Sequence, residues 1–202
     1  MVAAPSLRGL PFDNGDVMTR EEFHKLYSEC EDLERVELIE GVVYLPSPIR
    51  LQGHAAEQGL ISEWLVAYAA RHAGVRWLPS TTLKLDDRNE VEPDAMLVRG
   101  EPPVDEEGYL AKAPELVVEI AGSSHARDLH QKRDAYERNG VGEYIVWDTK
   151  NGTIYWFELR DGIYRQAEPM DGLLESGQFP GLVMDVGALL AGDKARLLAV
   201  LE

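Results

Sequence analysis

The sequence predicts one α/β domain, built on a parallel β–α–β crossover with an antiparallel meander appended to it. Three observations carry this. Residues 115–148, ELVVEIAGSSHARDLHQKRDAYERNGVGEYIVWD, read as strand, loop, helix, strand, and strands joined through a helix run parallel. Beyond Asp148, the turn signals Lys150-Asn151-Gly152 and Asp161-Gly162 separate short apolar runs, the pattern of hairpins. No repeat, low-complexity tract or linker divides the 202 residues, so a single layered core is the simplest account.

Taken in order, residues 1–18 are rich in Pro, Gly and Asp and read as a loose arm ahead of a domain over 19–202. Thr19 with Glu22 forms a capping box for a helix running through Phe23, Leu26 and Tyr27 to about Cys30. Residues 36–45 read as a hairpin turning at Glu40-Gly41, ended by Pro46 and Pro48. From about Gly53 to Ala73 the stripe Ile61, Trp64, Leu65, Tyr68 predicts the longest helix, stopped by Gly74. Short strands follow at 76–78 and 81–85, joined at Pro79-Ser80. After the polar turn 86–89 comes a buried strand with Asp94 at its entrance. Residues 99–114 read as a loop, 179–186 as a last edge strand and 187–201 as a terminal helix.

In the central unit the charges fall in unexpected places. Glu119 stands inside the apolar run Leu116–Ile120, which suits a strand covered on both faces. Gly122-Ser123-Ser124 breaks the run, either serine can cap the next helix, and Asn139-Gly140 ends it. On that helix Leu129, Lys132, Arg133 and Tyr136 share a face, so Lys132 points toward the sheet. An inward Glu and Lys need each other, a metal or a substrate. The plainer alternatives are a structural pair, or Lys132 reaching outward beside Asp128.

Composition narrows the chemistry. With 36 acidic and 20 basic side chains the formal charge is −16, which argues against coating nucleic acid non-specifically. Cys30 is the sole cysteine, so intramolecular disulfides and cysteine-ligated zinc are excluded. No run is long and apolar enough for a membrane span and no signal pattern opens the chain, so a cytoplasmic protein is expected.

Pro93-Asp94, a following strand with Glu119 and a nearby lysine are similar to the PD-(D/E)xK nuclease superfamily. More closely, Glu37–Gly41, Ser47-Pro48, His54, Glu92-Pro93-Asp94, Val118-Glu119-Ile120, Asp128–Tyr136 and Gly140–Asp148 resemble, in order and spacing, the Uma-type bacterial restriction endonucleases. The resemblance implies a restriction-endonuclease-like fold, a central mixed sheet flanked by helices, with Mg2+-dependent (or Mn2+-dependent) cleavage of DNA phosphodiesters at one edge. By position, Asp94 and Glu119 would be the metal-binding carboxylates and Glu40 an additional acid. Lys132 would stand for the motif lysine, with His54 as an accessory residue. The departure is Ala121, where the superfamily places its lysine two residues after the glutamate. A hard cation suits such oxygen ligands, and the lysine could orient or deprotonate a water if its own pKa were depressed. The resemblance also implies a homodimer, with the apolar run Ile154–Phe157 as a candidate surface.

Each residue has a plainer role: Asp94 satisfying turn amides, Glu40 an exposed turn acid, His54 an ordinary residue at a helix start. The charge of −16 leaves two alternatives open: a catalytically silent nuclease-fold binding or regulatory module, or hydrolysis of a smaller phosphodiester. A positive strip from Arg50, Arg127, Lys132 and Arg133 would count against the first of these.

Overall fold

In the computed structural model, residues 10–30, 33–46, 54–122 and 124–201 are described. Ser47, Pro48, Arg50, Gly53, Ser123 and the first nine residues of the expected arm lie outside them. The first half runs α1 (Arg20–Ser28), β1 (Glu37–Ile39), β2 (Val42–Tyr44), α2 (Ala56–Ala69), β3 (Val75–Pro79), β4 (Leu83–Asp86), β5 (Asn89–Val91) and β6 (Ala95–Arg99). Then come β7 (Leu116–Ala121), α3 (His125–Arg127), a π-helical turn (Asp128–Lys132), α4 (Arg133–Arg138) and β8 (Glu143–Asp148). The chain ends with β9 (Thr153–Arg160), β10 (Ile163–Gln166), β11 (Leu173–Glu175), β12 (Val183–Asp185), α5 (Val186–Ala191) and α6 (Lys194–Ala199).

A six-stranded mixed sheet, ordered β10-β9-β8-β7-β6-β3, is the centre. Its β7–β8 pair is parallel and the other pairs antiparallel, as the crossover and the hairpin signals predict. Because side chains alternate along a strand, β7 divides the core between its faces. Leu116, Val118 and Ile120 pack with Trp64, Leu65 and Tyr68 of α2 and with Leu189 and Leu197 of the C-terminal helices. Val117 and Ala121 pack on the opposite face with Tyr136 and with Ile39, Leu83 and Val91 of a second sheet. Glu119 lies between those two in sequence and therefore on that second face.

The second sheet has the order β2-β1-β5-β4. Its hairpin turns where predicted, with Glu40 at φ 53° and Gly41 at φ 76°, the left-handed pair that a two-residue turn needs. The capping box on α1 also forms, in both directions. Phe12, Phe23, Val36, Leu38 and Val43 make a third apolar cluster between α1 and the hairpin.

Several expectations change. Residues 10–18 are docked rather than loose: Phe12 is buried against Phe23, and Gly15 and Met18 donate backbone hydrogen bonds to Val43 and Gly41. β3 and β4 lie in different sheets, because β3 pairs with β6 and β4 with β5. Among the described residues the last strand, β12, pairs with β11 alone, in a separate two-stranded sheet. The terminal helix is broken at Gly192, which has φ 68°. Ser124 makes no side-chain cap bond and instead donates to Asp128 at 2.5 Å. The Ile154–Phe157 run offers no apolar surface, since Trp156 and Phe157 are buried in the two main cores and Ile154 and Tyr155 pack against them. Strand alternation sends its large side chains inward on both faces, a consequence of β9 lying inside the sheet rather than at its edge.

Candidate active site

Lys132 is 3% exposed, and Glu119 and Asp128 are buried with it. The Lys132 Nζ lies 2.8 Å from Glu119 Oε1, 2.7 Å from Glu37 Oε1 and 3.9 Å from Asp128 Oδ1. Lys132 therefore does not reach outward to solvent, and Asp128 turns inward with it. The π-helical turn widens the helix locally, a feature common at functional sites. Tyr136, one turn on from Lys132, donates its hydroxyl to Glu119 Oε1 at 2.9 Å. Glu37 comes from β1 of the second sheet and also accepts the Glu92 N–H at 3.0 Å. The ammonium thus bridges the two sheets.

Buried charges in this arrangement need partners, because each loses its hydration. Burial pushes the lysine's pKa down, but Glu119, Glu37 and Asp128 outweigh that and hold it above its ordinary value. This reverses the condition under which Lys132 would deprotonate a water: its ammonium stays charged. Burial raises the Glu119 carboxyl well above the ordinary carboxylate range, against the pull of Lys132. Asp128 is raised for the same first reason.

Asp94 stands just before β6. Ala95 pairs with Val118, so the same antiparallel register carried one residue further sets Asp94 opposite Glu119. Asp94 Oδ2 accepts the Ile120 N–H at 2.8 Å. Its other oxygen lies 3.2 Å from His54 Nε2, while His54 Nδ1 lies 3.1 Å from the Ile120 carbonyl oxygen. The hydrogen bond it donates to Asp94 raises the pKa of His54, and the imidazolium can donate to both acceptors. Arg35, unremarked in the sequence, closes this side. Its guanidinium lies 3.9 Å from both Asp94 and Glu92 and donates to Ser80 at 3.1 Å.

The structure thus brings Asp94, Glu119 and Lys132 together, with His54 against Asp94, and it does not bring in Glu40. Glu40 sits on the turn, where Arg138 donates to it at 2.6 Å and Asn89 at 3.4 Å. Glu37, three residues earlier on the strand, fills the place beside Lys132. The two-residue turn could have shown this, since it sets Glu37 in the strand on the same side as the inward Ile39. Among the residues of the expected positive strip that are described, Lys132 is enclosed by carboxylates, Arg133 is paired with Asp134, and Arg127 lies over the Tyr44 ring.

Among the described residues no three His, Cys, Asp or Glu side chains are grouped as a metal site. A magnesium ion does not require that, because it keeps several waters and takes one or two carboxylates plus substrate phosphate. The donor chemistry fits such an ion. Asp94 Oδ1 and the Ile120 carbonyl oxygen, each in contact with a nitrogen of His54, are hard oxygens. Among the described residues both hydrogen bonds to Glu119 fall on Oε1, which leaves Oε2 for a cation.

A mixed sheet flanked by helices, with Pro-Asp at the head of one strand, an inward glutamate on the next and a buried lysine beside it, is the restriction-endonuclease-like nuclease fold. The chain belongs to the Uma2 family, described as "Putative restriction endonuclease", which matches residues 20–187. It is also similar in fold to the crystal structure of "a putative nuclease belonging to DUF820" from Anabaena variabilis ATCC 29413. That likeness has a TM-score of 0.66 at 18% identity and covers 86% of this chain and 98% of the other. No curated protein matches the sequence. At the coarse level, then, this is a protein of a nuclease family.

Proposed function

We propose that the protein is a metal-dependent endonuclease hydrolysing DNA phosphodiester bonds. In this reading Asp94 and Glu119 hold Mg2+ or Mn2+, Lys132 stands at the attacking water, and Glu37 rather than Glu40 is the additional acid. The observation that supports it best is the buried ammonium of Lys132, shared by Glu119 and Glu37 one register step from Asp94. When bound, the cation would lower the pKa of a water and neutralise charge on the phosphate. Lys132, held charged, orients that water through its N–H donors and offsets the negative charge that grows on the phosphate oxygens. It is no proton acceptor in this state, which leaves that task to a carboxylate of the cluster. Tyr136 fixes Glu119, and His54 and the Ile120 N–H fix Asp94.

One observation favours a second reading. The cluster closes on itself through Lys132, Glu37, Glu119 and Tyr136, as a structural knot in a silent binding module would. Calorimetric titration of Mg2+ or Mn2+ into the wild type and the Asp94→Ala/Glu119→Ala variant separates the two, with the same samples assayed on plasmid and single-stranded DNA. Metal binding and cleavage that both vanish in the variant support the nuclease. Metal binding with no DNA cleavage points to a smaller phosphodiester as substrate, and no metal binding at all leaves the silent module. The same reading sets the protein in the cytoplasm and, for cutting both strands, as a homodimer, which sedimentation at assay concentration would test.

A further inference from the structure

The candidate site has an electrostatic gap. Glu37, Glu92, Asp94, Glu119 and Asp128 converge on it, and its cations Lys132 and Arg35 are already spent on those carboxylates. Nearby, Arg138 is taken by Glu40 and Asp86. A phosphate approaching this cluster needs a cation with donors still to give.

Arg127 meets that need. Its side chain lies over the ring of Tyr44, 4.7 Å from the centroid, and among the described residues its buried Nε has no hydrogen-bond partner. Tyr44 is the direct cross-strand partner of Glu37, so their side chains stand next to each other on one face of the hairpin. Arg127 is therefore one side chain away from the Glu37–Lys132 pair. Its position is also fixed in advance. The Tyr44 hydroxyl donates to Gln131 at 3.1 Å, tying the ring to the π-helical turn, and Asp128, the residue after Arg127, is held by Ser124 at 2.5 Å. A guanidinium laid on an aromatic ring, with its Nε–H unspent among the described residues, is preorganised for a phosphate.

We propose that Arg127, laid on Tyr44, is the contact through which this acidic site binds a phosphate of a DNA strand next to the bond to be cut. This rests on the nuclease reading above. The test measures binding of a short fluorescent DNA duplex and the corresponding single strand, by anisotropy in Ca2+ buffer over a range of salt, for wild type, Arg127→Ala, Arg127→Lys and Tyr44→Leu. A charge-assisted hydrogen bond lost should weaken binding about tenfold to a hundredfold in Arg127→Ala. The slope of log affinity against log salt should fall by about one phosphate contact. Arg127→Lys should keep the salt slope and lose part of the affinity, and Tyr44→Leu should lose affinity with its slope unchanged. A salt slope in Arg127→Ala equal to that of wild type, at equal affinity, overturns the proposal while leaving the nuclease reading intact. Wild-type protein that neither binds nor cuts DNA overturns both. Circular dichroism melting confirms that each variant is folded, so that lost affinity is not lost structure.

Discussion

Replacing Lys132 by Met removes the ammonium and keeps the length and apolar bulk of the stem. Glu119 and Glu37, at 2.8 and 2.7 Å, and Asp128 at 3.9 Å then face one another with no cation between them. Removing one partner of a buried ion pair typically costs about 3–5 kcal/mol, because the other is left charged and dry. For a chain of this size that corresponds to a fall in Tm of roughly 6–20 °C. Glu119→Gln should cost less, about 1–3 kcal/mol, because Lys132 still has Glu37 and Asp128. The double variant should cost less than the sum of the two, with a coupling of roughly 0.5–3 kcal/mol. Urea unfolding followed by tryptophan fluorescence measures all three, with Trp147 on β8 as a nearby reporter, since it pairs with Ile120. Lys132→Met within about 1 kcal/mol of wild type, or strict additivity in the double variant, would refute the claim that the lysine is held by its carboxylates.

Other consequences are open to measurement. Glu40→Ala should lower stability by less than about 1 kcal/mol, because its Arg138 partner is half exposed, and should leave any nuclease activity near wild type. Glu37→Ala should abolish that activity, and the contrast is read in one cleavage assay. Tyr136→Phe deletes the hydroxyl on Glu119 and should cost about 0.5–1.5 kcal/mol in urea unfolding. For Asp86, burial pushes the carboxyl up, but hydrogen bonds from Asn139, Asn89, the Arg88 N–H and Arg138 outweigh it and leave its pKa lowered. A lowered folded-state pKa gives stability that is present above the unfolded value near 3.8 and is lost as the pH falls through the folded value. Asp86→Asn should therefore be about 0.5–1 kcal/mol less stable at neutral pH after screening, and the gap should close in strong acid. A gap that persists there would contradict the assignment.

The parts of this fold that could be read from sequence are those with a strong local period or turn. The crossover followed from the apolar runs around Glu119 and Ile145 and the helix between them, and the inward Lys132 followed from helical spacing with Leu129 and Tyr136. The Glu40-Gly41 turn fixed the hairpin for the same reason. What escaped depended on partners distant in the chain. β5 is only Asn89–Val91, too short to carry a pattern, and its role appears only when β1 and β4 flank it. Glu37 and Arg35 join the cluster through contacts between distant segments, and Asp128, readable as a helix-surface acid, is buried beside Lys132. Reading Glu40 as the third acid came from position along the chain, where strand direction favoured Glu37.

The π-helical turn makes the cluster sensitive to chain length as well as to residue identity. Each residue advances an α-helix by about 100°, and the π turn, which carries Asp128 and Lys132, accommodates extra backbone just ahead of the segment carrying Tyr136. Inserting one more residue there would swing everything downstream by more than a quarter of a revolution. Tyr136 would leave Glu119, although every chemically important side chain was still encoded. In this part of the chain, a conservative point substitution should be far less damaging than a single-residue insertion.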